Sequence, residues 1–304
     1  MTETPRGRDR LPTLLSLALL VPASLSAQNM DSVTITTTPV AGEVYLLQGS
    51  GGNIGVSAGK DGVLLIDDQY APLTDRIKTA VRAINPAPIR YVINTHWHGE
   101  HTGGNEHLAQ DGVVIFAQEN ARRRMSREQV IKAFNKTVPP APEVALPVIT
   151  FTDTMTFYFN GDTAQVIHVK AAHTDGDAIV VFRHANVIHT GDTWFNSFYP
   201  VIDVSSGGSL DGMIDAADRV LAIANDSTRI IPGHGPLSNR AELHRYREML
   251  ATVRLRLSRA IHQGMTAEQV VNANLLSDLD HVWGKGFLTP AQFAVMAYAS
   301  IMPN

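Results

Sequence analysis

Three histidines and a carboxylate fall within six positions of this chain: His96, His98, Glu100 and His101, in the run His-Trp-His-Gly-Glu-His-Thr-Gly-Gly at residues 96–104. His96 and His98 are two apart, so on extended backbone they project to the same side. A turn at Gly99 lets Glu100 and His101 point elsewhere. One short loop can therefore offer two imidazoles to one metal, and a carboxylate plus an imidazole to a second. Both groups are ligands of zinc and its first-row neighbours, and with no cysteine in the chain no thiolate narrows the choice. The competing reading is a solvated polar loop that happens to be rich in histidine. It leaves unexplained why the cluster ends an apolar run, residues 89–94, whose Ile, Tyr and Val describe a buried strand.

The run resembles the His-x-His-x-Asp-His signature of the metallo-β-lactamase superfamily of binuclear hydrolases, with Glu100 standing where that family normally has aspartate. The family completes its site with a later histidine, an acidic residue that bridges in many members, and a final histidine. His173 in Ala-Ala-His-Thr-Asp-Gly-Asp, Asp192 in His-Thr-Gly-Asp-Thr and His234 in Ile-Pro-Gly-His-Gly-Pro match those three in order and in local context. The resemblance covers about residues 44–236. It implies two zinc ions (Zn2+), the first on His96, His98 and His173, the second on Glu100, His101 and His234, with Asp192 bridging or at the second. In the family the aspartate at the Glu100 position both ligates metal and orients the nucleophile, so Glu100 and Asp192 are expected to serve catalysis as well as binding. Two such dications share a hydroxide of near-neutral pKa, polarise a carbonyl and stabilise the leaving group.

The elements that must position these residues come in two β blocks. Short runs at residues 44–47, 53–56 and 63–67, with Gly and Asp-Gly between them, predict a hairpin meander behind a polar leader at residues 28–39. Residues 73–83 predict an amphipathic helix, residues 113–116 a strand, and residues 118–134 a helix with Arg122, Arg123 and Arg124 on a solvated face. Thr102 is expected to cap a short helix containing His107. The Pro-rich residues 137–142 predict a stiff extended connector. A second β block follows at residues 148–151, 155–159, 164–169, 178–182 and 187–189. Beyond His234, the spacing of Leu243, Tyr246, Leu250, Val253, Leu257 and Ile261 predicts one face of a long helix. Thr266 and Gln269 have capping-box spacing, and Pro290 opens a final helix. Two β blocks, each followed by helix, do not alternate strictly, which disfavours a doubly wound parallel sheet. An α/β fold of two packed mixed β-sheets with helices outside fits better, and it is the αββα sandwich that the resemblance implies.

The chain has 304 residues, 44% hydrophobic and 18% charged, ordinary for a globular protein. Arg6, Arg8 and Arg10 precede an apolar run at residues 11–21, and Ala23, Ser24, Ser26 and Ala27 follow. That is the layout of a secretory signal peptide over residues 1–27, too short for a membrane span. The protein is therefore expected in the periplasm or outside the cell, as one hydrolase domain over residues 28–304 with a helical extension after about residue 237. Without cysteine it has no disulfide and relies on its core. Residues 1–27 hold three Arg, one Glu and one Asp, so their removal takes the formal charge from −4 to −5. Mild acidity leaves no basic footprint for nucleic acid, and a small-molecule substrate is expected instead.

The remaining candidates have plainer roles. Asp67 and Asp68 end a strand and are expected to shape the turn or cap a helix rather than touch metal. His189 is expected to orient or pack beside the site, and His168 to be hydrogen-bonded in the core. His107, His184, His244, His262 and His281 are expected at the surface. Trp97, Trp194, Phe195, Phe198 and Tyr199 lie near ligands in sequence and either wall a pocket or fill the core, of which core is commoner. The activity expected is zinc-dependent hydrolysis of a lactam, ester or thioester. An acid at the Asp192 position resembles the thioesterase-like and general hydrolase branches, whereas dedicated β-lactamases more often carry Cys or Ser there. Export, in turn, places the enzyme where β-lactams arrive, so β-lactamase activity stays among the expected ones. A glyoxalase II- or lactonase-like hydrolase, or a metal-binding protein of the same fold impaired by Glu100, is the alternative.

Overall fold

The computed structural model describes residues 30–302, so the expected signal peptide lies outside the described residues. Four antiparallel strands lead: β1 (Thr36–Ala41), β2 (Val44–Gln48), β3 (Ile54–Gly59) and β4 (Gly62–Ile66). Helix α1 (Thr74–Ile84) then crosses to β5 (Ile89–Asn94), which pairs parallel to β4. The short helices α2 (Gly99–Thr102) and α3 (Asn105–Gln110) precede β6 (Val114–Gln118), again parallel to its neighbour. After α4 (Glu119–Met125) come a small hairpin, β7 (Gln129–Ile131) and β8 (Lys136–Val138), and then β9 (Ile149–Phe151). The first sheet has the order β1-β2-β3-β4-β5-β6-β9.

The second sheet opens with three antiparallel strands, β10 (Thr154–Phe159), β11 (Asp162–Val169) and β12 (Asp177–Phe182), followed by β13 (Val187–His189). Helix α5 (Leu210–Ile223) leads to β14 (Arg229–Ile231), parallel to β13, and β15 (Ser238–Asn239) closes the edge. Four helices end the described chain: α6 (Arg240–His262), α7 (Ala267–Asn272), α8 (Asp280–Trp283) and α9 (Pro290–Ile301). Capping boxes start both α7 and α9, at Thr266 with Gln269 and at Thr289 with Gln292.

Period-two alternation sorts the strand residues into layers. Leu64 and Ile66 of β4, Ile93 of β5 and Phe116 of β6 meet Val166, Val180 and Phe182 between the sheets. Their chain neighbours Val63, Leu65, Val92 and Ile115 face Ile77, Val81 and Leu108 on the first helical layer. On the other side Ile179, Val181 and Ile188 face Met213, Leu250 and Phe293 of α5, α6 and α9. Strands buried on both faces read as unbroken apolar runs. The architecture is the expected αββα sandwich.

Four local expectations need correction. The helix expected to run to residue 134 stops at Met125, because Val130 and Ile131 pair across to Thr137 and Lys136, with Asn135 turning the hairpin at φ 47°. Residues 137–142 are accordingly not one connector, since Lys136–Val138 is a strand. The strand at residues 149–151 belongs to the first sheet, where Phe116 pairs with Ile149 and Phe151 enters the inter-sheet core. Thr102 ends α2, its hydroxyl donating to His98 O at 3.1 Å, and Gly104 precedes α3 instead.

Helix α6 supplies the longest apolar stripe against the second sheet, with Leu250 fully buried. Leu250→Ala should lower unfolding free energy by about 2–5 kcal/mol, read by urea denaturation. Arg247→Ala, which removes a half-exposed pair between α6 and Asp218 of α5, should lower it by less than ~1 kcal/mol. Equal losses would place the stabilising contact on the wrong face of α6.

Candidate metal centre

The site sits at the sheet ends where β4, β5, β13 and β14 stop. β5 delivers Thr95 and His96 directly. The backbone N–H and hydroxyl of Thr95 both donate to the Asp67 carboxylate at 2.7 Å, and His101 Nδ1 donates to the same carboxylate at 2.8 Å. Asp68 adds a bond from Gly104 N at 2.8 Å, so the metal loop is tied at both ends to the turn after β4. Neither aspartate joins a donor group, as expected of them.

The later donors are held as firmly. Asp177 Oδ2 accepts from His173 N at 2.7 Å and Thr174 N at 2.9 Å; burial still pushes its carboxyl up to about 7. Arg124 grips Asp175 through two 2.7 Å contacts, fixing the His173 loop to α4. Of the three arginines expected on a solvated face, this one is thus engaged. Asp192 lies in the tight turn after β13, positioned in part by His189, whose Nδ1 accepts from Gly191 N at 3.2 Å while its Nε2 donates to Asn53 O at 3.1 Å. Gly233 lies so close beneath Asp192 that a Cβ there would overlap its carboxylate.

All seven expected donors come together, in two groups. His96, His98 and His173 form one; Glu100, His101, Asp192 and His234 form the other, with the donor atoms of each group within 4.8 Å of one another. Asp192 spans them: Oδ2 lies 3.9 Å from His96 Nε2, 3.7 Å from His173 Nε2 and 3.4 Å from His234 Nε2, while Oδ1 lies 3.1 Å from His101 Nε2. Glu100 is the most open donor, its side chain about a quarter exposed, with Oε1 4.0 Å from His98 Nδ1.

Outer partners assign the tautomers of the first group. His98 Nε2 donates to Asp203 at 3.1 Å, and His173 Nδ1 donates to Val201 O at 2.8 Å. The Thr95 hydroxyl proton goes to Asp67, so that oxygen accepts from His96 Nδ1 at 3.1 Å. The inward nitrogens therefore carry lone pairs. His98 Nδ1 and His173 Nε2 face each other at 2.8 Å, and His96 Nε2 is buried without a hydrogen-bond partner. Burial lowers the pKa of His96 well below its ordinary value and brings His173 to about 4. Neutral imidazoles with converging lone pairs repel one another, and a cation among them reverses the sign. The residues fit a metal.

Sequence reasoning missed Asp203 and Phe287. Asp203 carries no signal of its own, since only the fold brings it to His98 from 105 residues away. Among the five aromatics, Trp194 and Tyr199 fill the core, Trp97 packs beneath the loop, and Phe195 and Phe198 reach His234 directly or through Phe287. His168 is buried on Asp177 O, and the five histidines expected at the surface are exposed.

A family model described as the metallo-beta-lactamase superfamily matches residues 47–234. The chain belongs to this superfamily. It is 23% identical to a metallo-beta-lactamase type 2 of Bacteroides fragilis, over 72% of this chain and 87% of that protein. It is 30% identical to a hydroxyacylglutathione hydrolase of Nitrosococcus oceani, over 55% of this chain, and spans only 57% of that protein's length. In structure it superposes on a metallo-beta-lactamase from Pontibacter korlensis with a TM-score of 0.58 at 19% identity, covering 72% of this chain and 99% of that one. Superfamily membership and the converging donors together point to a divalent cation as the partner of these groups.

The two donor groups of this superfamily site differ in protonation. Burial disfavours charge on His101, but Asp192 and Asp67 outweigh it and raise its pKa well above the ordinary value. A metal at the second group must displace that proton. Affinity there should be steady above the raised pKa and fall roughly tenfold per pH unit below it. Competition with a chelator at a series of pH values reads this; a second affinity that ignores pH would show that His101 gives up no proton.

Proposed function

We propose that this superfamily member is an exported, zinc-dependent binuclear hydrolase that opens a lactam, ester or thioester. The observation that carries the reading is the pair of donor groups, one of three histidine nitrogens and one of nitrogen and oxygen donors, with Asp192 of the second reaching toward the first. His96, His98 and His173 would hold one ion, and Glu100, His101 and His234 the other, with Asp192 between them. Zinc in such a pair supplies Lewis acidity toward a carbonyl oxygen and activates water near neutral pH.

The chain's own residues do the rest. Asp67 and Asp203 hold the His101 and His98 rings and keep their protons on the outward nitrogens, the kind of support that tunes metal affinity. Asp192 spans both groups and so fixes their separation. Glu100, at the open side, would help hold the second ion and orient a water through a carboxylate oxygen, a reading supported by its membership of the second donor group. Its presence within donor range supports hydrolysis over the impaired metal-binding alternative. The names of the relatives, a metallo-beta-lactamase and a hydroxyacylglutathione hydrolase, support acyl transfer to water as the shared chemistry.

Zinc titrated into apo-protein should restore turnover of a chromogenic β-lactam, a lactone or a thioester in two phases, the second ion binding more weakly. Glu100→Gln should lower the rate by at least ~100-fold, because ligand charge and water orientation are both lost. Full activity at one equivalent, indifferent to Glu100→Gln, would remove Glu100 from both roles.

Export is the part of the proposal that rests on residues 1–27 alone. Intact mass of the native protein should place its N-terminus within a few residues of Gln28, in a periplasmic or secreted fraction. A cytoplasmic chain that keeps Met1 would refute it.

A further inference from the structure

His234 is gripped by aromatic rings on two sides. Phe195 stacks on it with centroids 5.3 Å apart and an interplanar angle of 15°, and Phe287 meets it edge-on at 5.1 Å and 80°. Phe198 completes the set, 5.9 Å from Phe195 and 5.1 Å from Phe287. Phe195 is buried and can only back the imidazole. Phe198 is half-buried, and Phe287 is 62% exposed. Apolar ring surface therefore faces solvent beside His234, at one end of the second donor group.

A single exposed phenylalanine is ordinary. This one differs in how rigidly it is presented. Residues 284–288 are pinned at both ends: Tyr199 N donates to Trp283 O at 2.7 Å and the Tyr199 hydroxyl donates to Asp280 at 2.9 Å, while Leu288 is buried and Thr289 caps α9. Between the pins, Gly286 lies flat on Phe198, where a Cβ would collide with the ring. The loop cannot swing away without unpacking Phe198. It also lies beyond residues 47–234, so Phe287 comes from the C-terminal helical segment and meets Phe198 of the part of the chain matched to the superfamily.

We propose that Phe287, seated on Phe198, is a specificity-determining wall, and that the substrate carries an aryl or extended alkyl group beside the scissile acyl bond. The proposal rests on the reading of the site as an acyl hydrolase and names the class of substrate it takes. An aryl group would meet two ring edges already set at right angles, the arrangement aromatic pairs favour.

Isothermal titration of the zinc-loaded protein with phenylacetohydroxamate and with acetohydroxamate tests the wall apart from turnover. The wild type should prefer the phenyl probe by roughly tenfold or more. Phe287→Ala should collapse that ratio to near two with zinc content retained, whereas Phe287→Leu should keep most of it. Equal affinities in the wild type, or a ratio that Phe287→Ala leaves intact, would overturn the wall. Phenylacetyl and acetyl thioesters assayed in parallel separate the two claims. Aryl preference in binding with no thioester, ester or lactam hydrolysed would keep the wall and refute the hydrolase reading.

Discussion

One carboxylate governs the metal loop. Asp67 accepts from the Thr95 N–H, the Thr95 hydroxyl and His101 Nδ1, which joins the turn after β4 to the end of β5. Because the Thr95 proton is committed to Asp67, the Thr95 oxygen becomes an acceptor for His96 Nδ1. A single side chain thereby sets the tautomer of one imidazole in each donor group. Asp67 does this from the left-handed region, at φ 67°, a backbone state that costs on the order of 1–3 kcal/mol for a residue with a side chain. Its hydrogen bonds offset that strain, so the conformation and the metal loop depend on each other.

The sandwich makes such a cluster tolerable. Five histidines and Asp192 crowd one sheet edge, and most are shielded from water. Isolated there, each polar group would be expensive to desolvate. The fold answers by pairing the outward faces of four of the five: Asp203 with His98, Val201 O with His173, Thr95 with His96 and Asp67 with His101. What is left unanswered is the inward face of the first group, where the lone pairs of His96, His98 and His173 converge. Rigid outer partners hold those rings in place, which suits the group to a cation rather than to rearrangement.

Glu100 shows how the fold absorbs a departure from the superfamily signature. It sits in the one-turn helix α2, and its carbonyl accepts from Gly52 N at 3.0 Å, so the backbone is anchored. The extra methylene is taken up by the side chain, which lies toward the open side of the site and still reaches the second donor group. Phe287 and Phe198 lie at His234, a member of the same donor group. Donors from the strand ends and an aromatic ring from the C-terminal helices thus meet at one histidine.

The sequence by itself determined the donors and the layers. Histidine, glutamate and aspartate crowded into one short loop and matched by later donors read as metal ligands, and unbroken apolar runs such as residues 63–66 and 178–182 must be buried on both faces. Residues 89–94 and 240–262 were legible for the same reason, since their patterns are local. Only the tertiary structure decided what surrounds the donors. The short run after Met125 folds as a hairpin because its cross-strand partners and the packing of Ile131 on Trp97 outweigh local helix preference. Asp203 holds His98 across 105 residues, and Phe287 reaches His234 from the far end of the chain. An isolated Asp or Phe has no period and no spacing to betray its partner; its role is a distance, and distances across a sandwich exist only once both sheets have packed.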